Sequence, residues 1–263
     1  MINVVIAELR KLRRPTLLLS TLLTVTLLSG LFTSIVFLRV GSKGGNGRRG
    51  ETITAAELSH ATGFLYGFKL VGTLLGLVAL CVFASQTAQE YTYGTLRNLL
   101  VRQPSRMKIL AGKFISMKLF AILMVLLAGV VTISLSYALA GHAKVNTSAW
   151  SSGTAMHLLA QSSLNIFLQT LSYGLFGMIL GILFRSPISA IATGVIWSLI
   201  LETILGAVLS GTAKWLPAAN FSNIGEGGTL DVSYKHSLLI SVIYLTVGSA
   251  LVSFLFKRRD VAN

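Results

Sequence analysis

The chain has 263 residues, of which 53% are apolar and only 11% charged. Soluble domains carry about 25% charged residues. A cytosolic globule and a disordered chain are therefore excluded, and with Cys81 as the single cysteine so is a disulfide-rich secreted domain. The net charge of +14 does not indicate nucleic acid, because membrane proteins concentrate Lys and Arg on their cytoplasmic loops.

Residues 1–14 are not a span. Ile2, Val5, Ile6, Leu9 and Leu12 recur at helical spacing, with Glu8, Arg10, Lys11 and Arg14 mostly off that face. The pattern predicts an interfacial helix in the headgroup plane. The plainer alternative is a basic flank to the first span.

Six runs reach the roughly 20 apolar residues that a span needs. They are Pro15–Leu38, Phe64–Ala88, Phe114–Ala140, Leu158–Phe184, Pro187–Leu209 and Ser237–Phe256. Their apolar character is continuous, not alternating, so they predict helices and not barrel strands. The first run is too long for a signal-peptide core and has no A-x-A site after it. It is expected to be retained, which makes residues 15–263 a single six-span domain.

Basic residues set the expected orientation. Arg10, Lys11, Arg13, Arg14, Arg97, Arg102, Arg106, Lys108, Lys113, Lys118, Arg185, Lys257, Arg258 and Arg259 fall on one side. Arg39, Lys43, Arg48, Arg49, Lys144, Lys214 and Lys235 fall on the other. The first side is expected to be cytoplasmic, with both termini there and the chain multi-pass in the cell membrane.

The connection between spans 2 and 3 reads EYTYGTLRNLLVRQPSRMKILAGK over residues 90–113. Glu90 ends a span and Gly94 breaks it. Thr95 is placed to cap a short amphipathic helix with Leu96, Leu99 and Leu100 on one face and Arg97 and Arg102 off it. Pro104 stops that helix, and Arg106, Lys108 and Lys113 are expected to meet headgroups before span 3. An interfacial helix facing lipid would share this composition.

The pattern Glu90, Gly94, Thr95, Leu96, Leu99, Leu100, Pro104, Ser105, Arg106, Gly112 and Lys113 resembles the signature of type-2 ABC exporter permeases. The six spans and the N-terminal interfacial helix also resemble that family, and the size resembles its small antibiotic and lantibiotic self-protection permeases. The resemblance implies an all-α integral membrane fold with a cytoplasmic coupling helix within residues 90–106. It implies that Glu90, Gly94, Thr95, Leu96, Arg97, Leu99, Leu100, Arg102, Pro104 and Arg106 couple to a separate cytosolic ATPase subunit. It further implies a second permease copy, identical or related, and export of an amphipathic substrate such as a drug, peptide antibiotic or lipid-like molecule.

No G-x-x-x-x-G-K-[ST] occurs in the chain, so ATP and Mg are expected on the partner ATPase, with no cofactor bound here. No H-E-x-x-H or G-x-S-x-G occurs either, and the four histidines are scattered. The chain is read as a transport subunit and not an enzyme, with no catalytic residue and no metal. The alternative is an ATP-independent carrier or channel, which would predict an internal repeat and broken spans.

Ionisable residues inside a bilayer are functional suspects. Lys69 in span 2 and Glu202 in span 5 lie at similar depth, so a salt bridge or a shared wet cavity is one expectation. Separate interfacial roles are the other. Ser162, Asn165, Gln169 and Ser172 share one face of span 4. Interhelical hydrogen bonding is the plainer role for that face, and contact with substrate at Asn165 and Gln169 the sharper one. Gly72 with Gly76, and Gly177 with Gly181, permit close helix approach.

Residues 41–50, with five glycines, read as a flexible loop. Residues 210–236 contain Trp215, Leu216, Pro217 and Phe221. They are expected to dip back into the outer leaflet before span 6 or to form an aromatic belt.

Overall fold

The structure is a computed structural model that describes residues 2–40, 53–95, 101, 105–209 and 211–258. It is all-helical. A short helix, Ile2–Leu12, precedes six helices long and apolar enough to cross a membrane. These are span 1 (Pro15–Leu38), span 2 (Gly63–Thr92), span 3 (Arg106–Ala140), span 4 (Gly153–Phe184), span 5 (Pro187–Val208) and span 6 (Tyr234–Phe256). The chain is a multi-pass membrane protein.

Span 3 starts eight residues before the apolar run. Arg106, Lys108 and Lys113 therefore ride on its first turns instead of preceding it. Span 5 is interrupted by a π turn over Trp197–Leu201 and resumes at Glu202.

Spans 2 and 4 form the centre. Over their most apolar stretches 56% and 61% of residues are buried, against 11% and 17% for spans 5 and 6. Glycines allow the central pair to touch along their length. A Cβ on Gly76 would collide with the Tyr173 ring, and one on Gly177 with the Leu80 carbonyl. The two small-residue pairs thus lock one and the same interface.

Span 1 packs on spans 2 and 3. At the end of the bundle away from the N-terminal helix, Trp150 is fully buried and donates its indole N–H to the Leu58 carbonyl at 2.9 Å. The rings of Phe37, Phe64 and Tyr137 surround it at 5.0–6.2 Å between centroids.

At that same end, residues 217–226 form a helix that folds back onto spans 4, 6 and 2. Pro217 opens it and Gly227, at φ +86°, closes it, because a left-handed residue ends a helix most cheaply as glycine. Ala218, Phe221 and Ile224 are buried beneath it. This is the inward turn expected of the 210–236 stretch.

Candidate functional site

Two polar constellations sit at opposite ends of the bundle. The first joins the N-terminal helix to spans 2 and 3. Lys113 is 3% exposed at its side chain and donates to Glu8 Oε2 at 2.9 Å and to Glu90 Oε1 at 2.8 Å. Lys11 donates to Glu8 Oε1 and Glu90 Oε1, each at 2.6 Å. Two carboxylates and two ammoniums balance in charge.

The local fold explains the meeting. Gly112 lets the N-terminal helix approach span 3, since a Cβ there would lie 2.6 Å from Val4 Cγ1. Glu8 is thereby turned inward, although its sequence position suggested the polar face. Lys113, expected at the headgroups, is buried instead, because two carboxylates from other elements reach it. Burial pushes the Glu8 carboxyl up, but Lys113 and Lys11 outweigh it and hold the group below its ordinary value.

The segment expected to couple to a partner leaves directly from this cluster. Glu90 is buried, and span 2 stops one turn later at Gly94, which adopts φ +63°. The Thr95 hydroxyl lies 3.5 Å from the Glu90 carbonyl oxygen. Arg106 donates to the Phe256 carbonyl and stacks over the Phe256 ring at 5.7 Å, which ties the start of span 3 to the end of span 6. Leu96, Arg97, Leu99, Leu100, Arg102 and Pro104 lie outside the described residues. Arg185, in the turn between spans 4 and 5, stacks over Tyr91 at 5.5 Å, and its carbonyl accepts from the Thr92 hydroxyl at 3.4 Å.

The second constellation is at the far end. Glu202 accepts from the Trp197 indole at 2.6 Å, from the Ala218 N–H at 2.9 Å and from the Ala219 N–H at 2.8 Å. The two amides belong to the first turn of the 217–226 helix, whose N–H groups have no partner within the helix. A carboxylate from span 5 thus caps a helix that begins 15 residues later. Glu202 lies six residues before the end of span 5, so the fold-back helix starts about 9 Å below that end. The π turn brings the Trp197 ring onto the same carboxylate.

Lys69 and Glu202 are not brought together. Lys69 lines a cavity of about 210 Å³ with Tyr66, Leu70, Glu226 and Gly228. The Glu202 carboxylate is already engaged by the three N–H groups, which a lysine on span 2 would have to displace. The span 4 face is buried as expected. Asn165 accepts from the Tyr234 hydroxyl at 2.9 Å, and Gln169 donates to Thr73 at 3.3 Å. Gln169 also fills the space opposite Gly72 and Gly225. One turn on, the Tyr173 hydroxyl binds the Ala218 carbonyl at 3.0 Å and Ser222 at 2.9 Å. The polar side of span 4 therefore holds the fold-back helix.

A third feature has no counterpart in the sequence reading. Between spans 1 and 2 runs a polar groove of about 490 Å³, lined in part by Arg14, Ser20, Ser85, Gln86 and Gln89. The signal was present as Ser20 and Thr24, and as Ser85 and Gln89, each pair four residues apart and so on one helical face.

Residues 49–262 match a family model described as protein of unknown function (DUF2705). Over 207 residues the chain is 26% identical to the uncharacterized protein YhcI of Bacillus subtilis (strain 168). That overlap takes in 72% of this chain and 66% of YhcI, so the chain spans just under two thirds of that relative's length.

Proposed function

The chain belongs to the DUF2705 family, and on that premise we propose that it is the membrane-embedded permease subunit of an ATP-driven exporter. Two permease subunits, identical or related, form the path, and separate cytosolic ATPase chains drive it. The substrate is amphipathic. Both termini and the 90–106 connection face the cytoplasm.

The observation that carries this reading is the quartet of Glu8, Lys11, Glu90 and Lys113, all buried but the half-buried Lys11, at the root of the 90–106 connection. A lever transmits force only if its base is rigid. Glu90 is fastened to span 3 through Lys113 and to the N-terminal helix through Lys11. A push on the connection is therefore shared by spans 2 and 3 and by the interfacial helix at once. Span 2 packs along span 4, and span 4 holds the fold-back helix through Tyr173 and the start of span 6 through Asn165. Movement at the cytoplasmic end thereby has a packed route to the far end, as alternating access requires.

The test is reconstitution. Vesicles carrying the chain with its ATPase should accumulate an amphipathic antibiotic only when ATP is supplied. Gly94→Ala should lower nucleotide turnover coupled to transport while leaving the chain in the membrane. Solute movement in vesicles that hold this chain alone, without nucleotide, overturns the reading in favour of an autonomous carrier or channel.

A further inference from the structure

The groove between spans 1 and 2 is shaped as an amphiphile is. At the end nearest the N-terminal helix it is lined by Arg14, Gln86 and Gln89. It adjoins a second cavity of about 310 Å³, with Ser20, Thr21, Cys81 and Val82 bordering both. The inner end is lined by Leu77 and Val78. From Tyr93 to Leu77 the groove runs about 24 Å along span 2, at 1.5 Å per residue. One leaflet of hydrocarbon is about 15 Å deep, so this length suffices for a headgroup and a tail from the same leaflet.

Charge selects the head. Among the described residues no Asp or Glu lines either cavity, and Arg14 is exposed at the mouth. Among the described residues neither Arg14 nor Gln86 has a side-chain hydrogen-bond partner. The hydroxyls of Ser20 and Thr24 are turned to carbonyls of their own helix, at 3.1 and 2.8 Å. The inner wall is thus less polar than its composition indicates. A guanidinium and amides at one end with an apolar floor at the other fit an acidic head on a single chain.

We propose that this groove binds one amphiphile with a phosphate-type anionic head, held by Arg14 and Gln86, its tail lying past Cys81 toward Leu77. The site stands on its own lining and requires no ATPase, so the transport reading and this one fail separately.

Cys81 is the only cysteine and is half-buried on the groove wall. That makes occupancy measurable in the full chain, purified in a neutral maltoside detergent. Dodecyl phosphate should slow maleimide labelling of Cys81 about tenfold, while dodecyltrimethylammonium and inorganic phosphate should not. Arg14→Gln should weaken the protection by roughly tenfold, the scale of a lost charged hydrogen bond. Arg14 caps span 1 only through its backbone, so this variant keeps the fold.

Equal protection by the cationic amphiphile overturns the assignment of the head. Protection by phosphate alone reduces the site to a bare anion site and overturns the tail. Protection that rises with protein concentration and needs no additive means that a second copy of the chain covers the groove. Should Cys81 label in no condition, native mass spectrometry decides: retention of lysophosphatidic acid over lysophosphatidylcholine, lost in Arg14→Gln, supports the proposal, and equal retention overturns it.

Discussion

Lys113 of span 3 and Glu8 of the N-terminal helix meet at 2.9 Å across 105 residues of sequence. The contact makes an amphipathic surface helix into a structural member of the bundle. Removing one partner from such a cluster leaves a buried charge uncompensated, at a cost of about 3–5 kcal/mol. Lys113→Met should therefore lower the thermal midpoint in detergent markedly. Adding Glu90→Gln to Lys113→Met should restore much of the loss, since charge balance returns.

Acid should loosen the same contact. The folded-state value of Glu8 lies below its ordinary 4.5. The unfolded chain then binds the proton more readily, so this stabilisation is complete above 4.5 and fades as pH falls through the lowered folded value. A spin label at Ile6, which is exposed, should gain mobility only below that range. Unchanged mobility down to the pH of global unfolding would contradict the assignment.

Glu202 is expected to act on the fold-back helix and not on Lys69. In Glu202→Gln an amide group replaces one acceptor oxygen, which leaves an N–H unsatisfied at about 1–3 kcal/mol. Hydrogen exchange at Ala218 and Ala219 should speed up, with little change around Lys69. If exchange stays slow while transport is abolished, Glu202 serves the pathway directly and its capping role is secondary.

Two glycine-to-alanine changes should separate packing from propensity. At Gly177 a methyl group meets backbone of span 2, and overpacking costs about 1–3 kcal/mol. At Gly30, within span 1, nothing lies within 4 Å. There alanine should be neutral or gain up to about 1 kcal/mol of helix propensity. Denaturation of the two variants side by side checks the pair.

Much of this architecture was legible in the sequence because the bilayer imposes it. Continuous apolar runs marked the six helices, Gly94 marked the end of span 2, and the spacing from Ser162 to Ser172 marked a buried face. What escaped depended on partners far along the chain. Lys113 reads as a headgroup cation from its neighbours in sequence, and only the convergence of Glu8 and Glu90 on it accounts for its burial. Similar depth allowed Lys69 and Glu202 either a shared site or separate roles, but depth says nothing of which helices are neighbours, and Glu202 meets the amides of Ala218 and Ala219. Span 3 starts ahead of its apolar run for a related reason. Basic residues interrupt an apolar run without interrupting a helix, since Arg and Lys are good helix formers.

The chain has three tryptophans, and their placement has a practical outcome. Trp150 is sealed in the aromatic knot, Trp197 is bonded to Glu202, and Trp215 precedes the fold-back helix. None touches the quartet of Glu8, Lys11, Glu90 and Lys113. Tryptophan fluorescence, excited apart from tyrosine, is therefore blind to that end of the protein and listens only to the rest of the bundle. Any change in that emission on adding a ligand that binds at the quartet is a signal that has travelled through the helices, recorded without a dye.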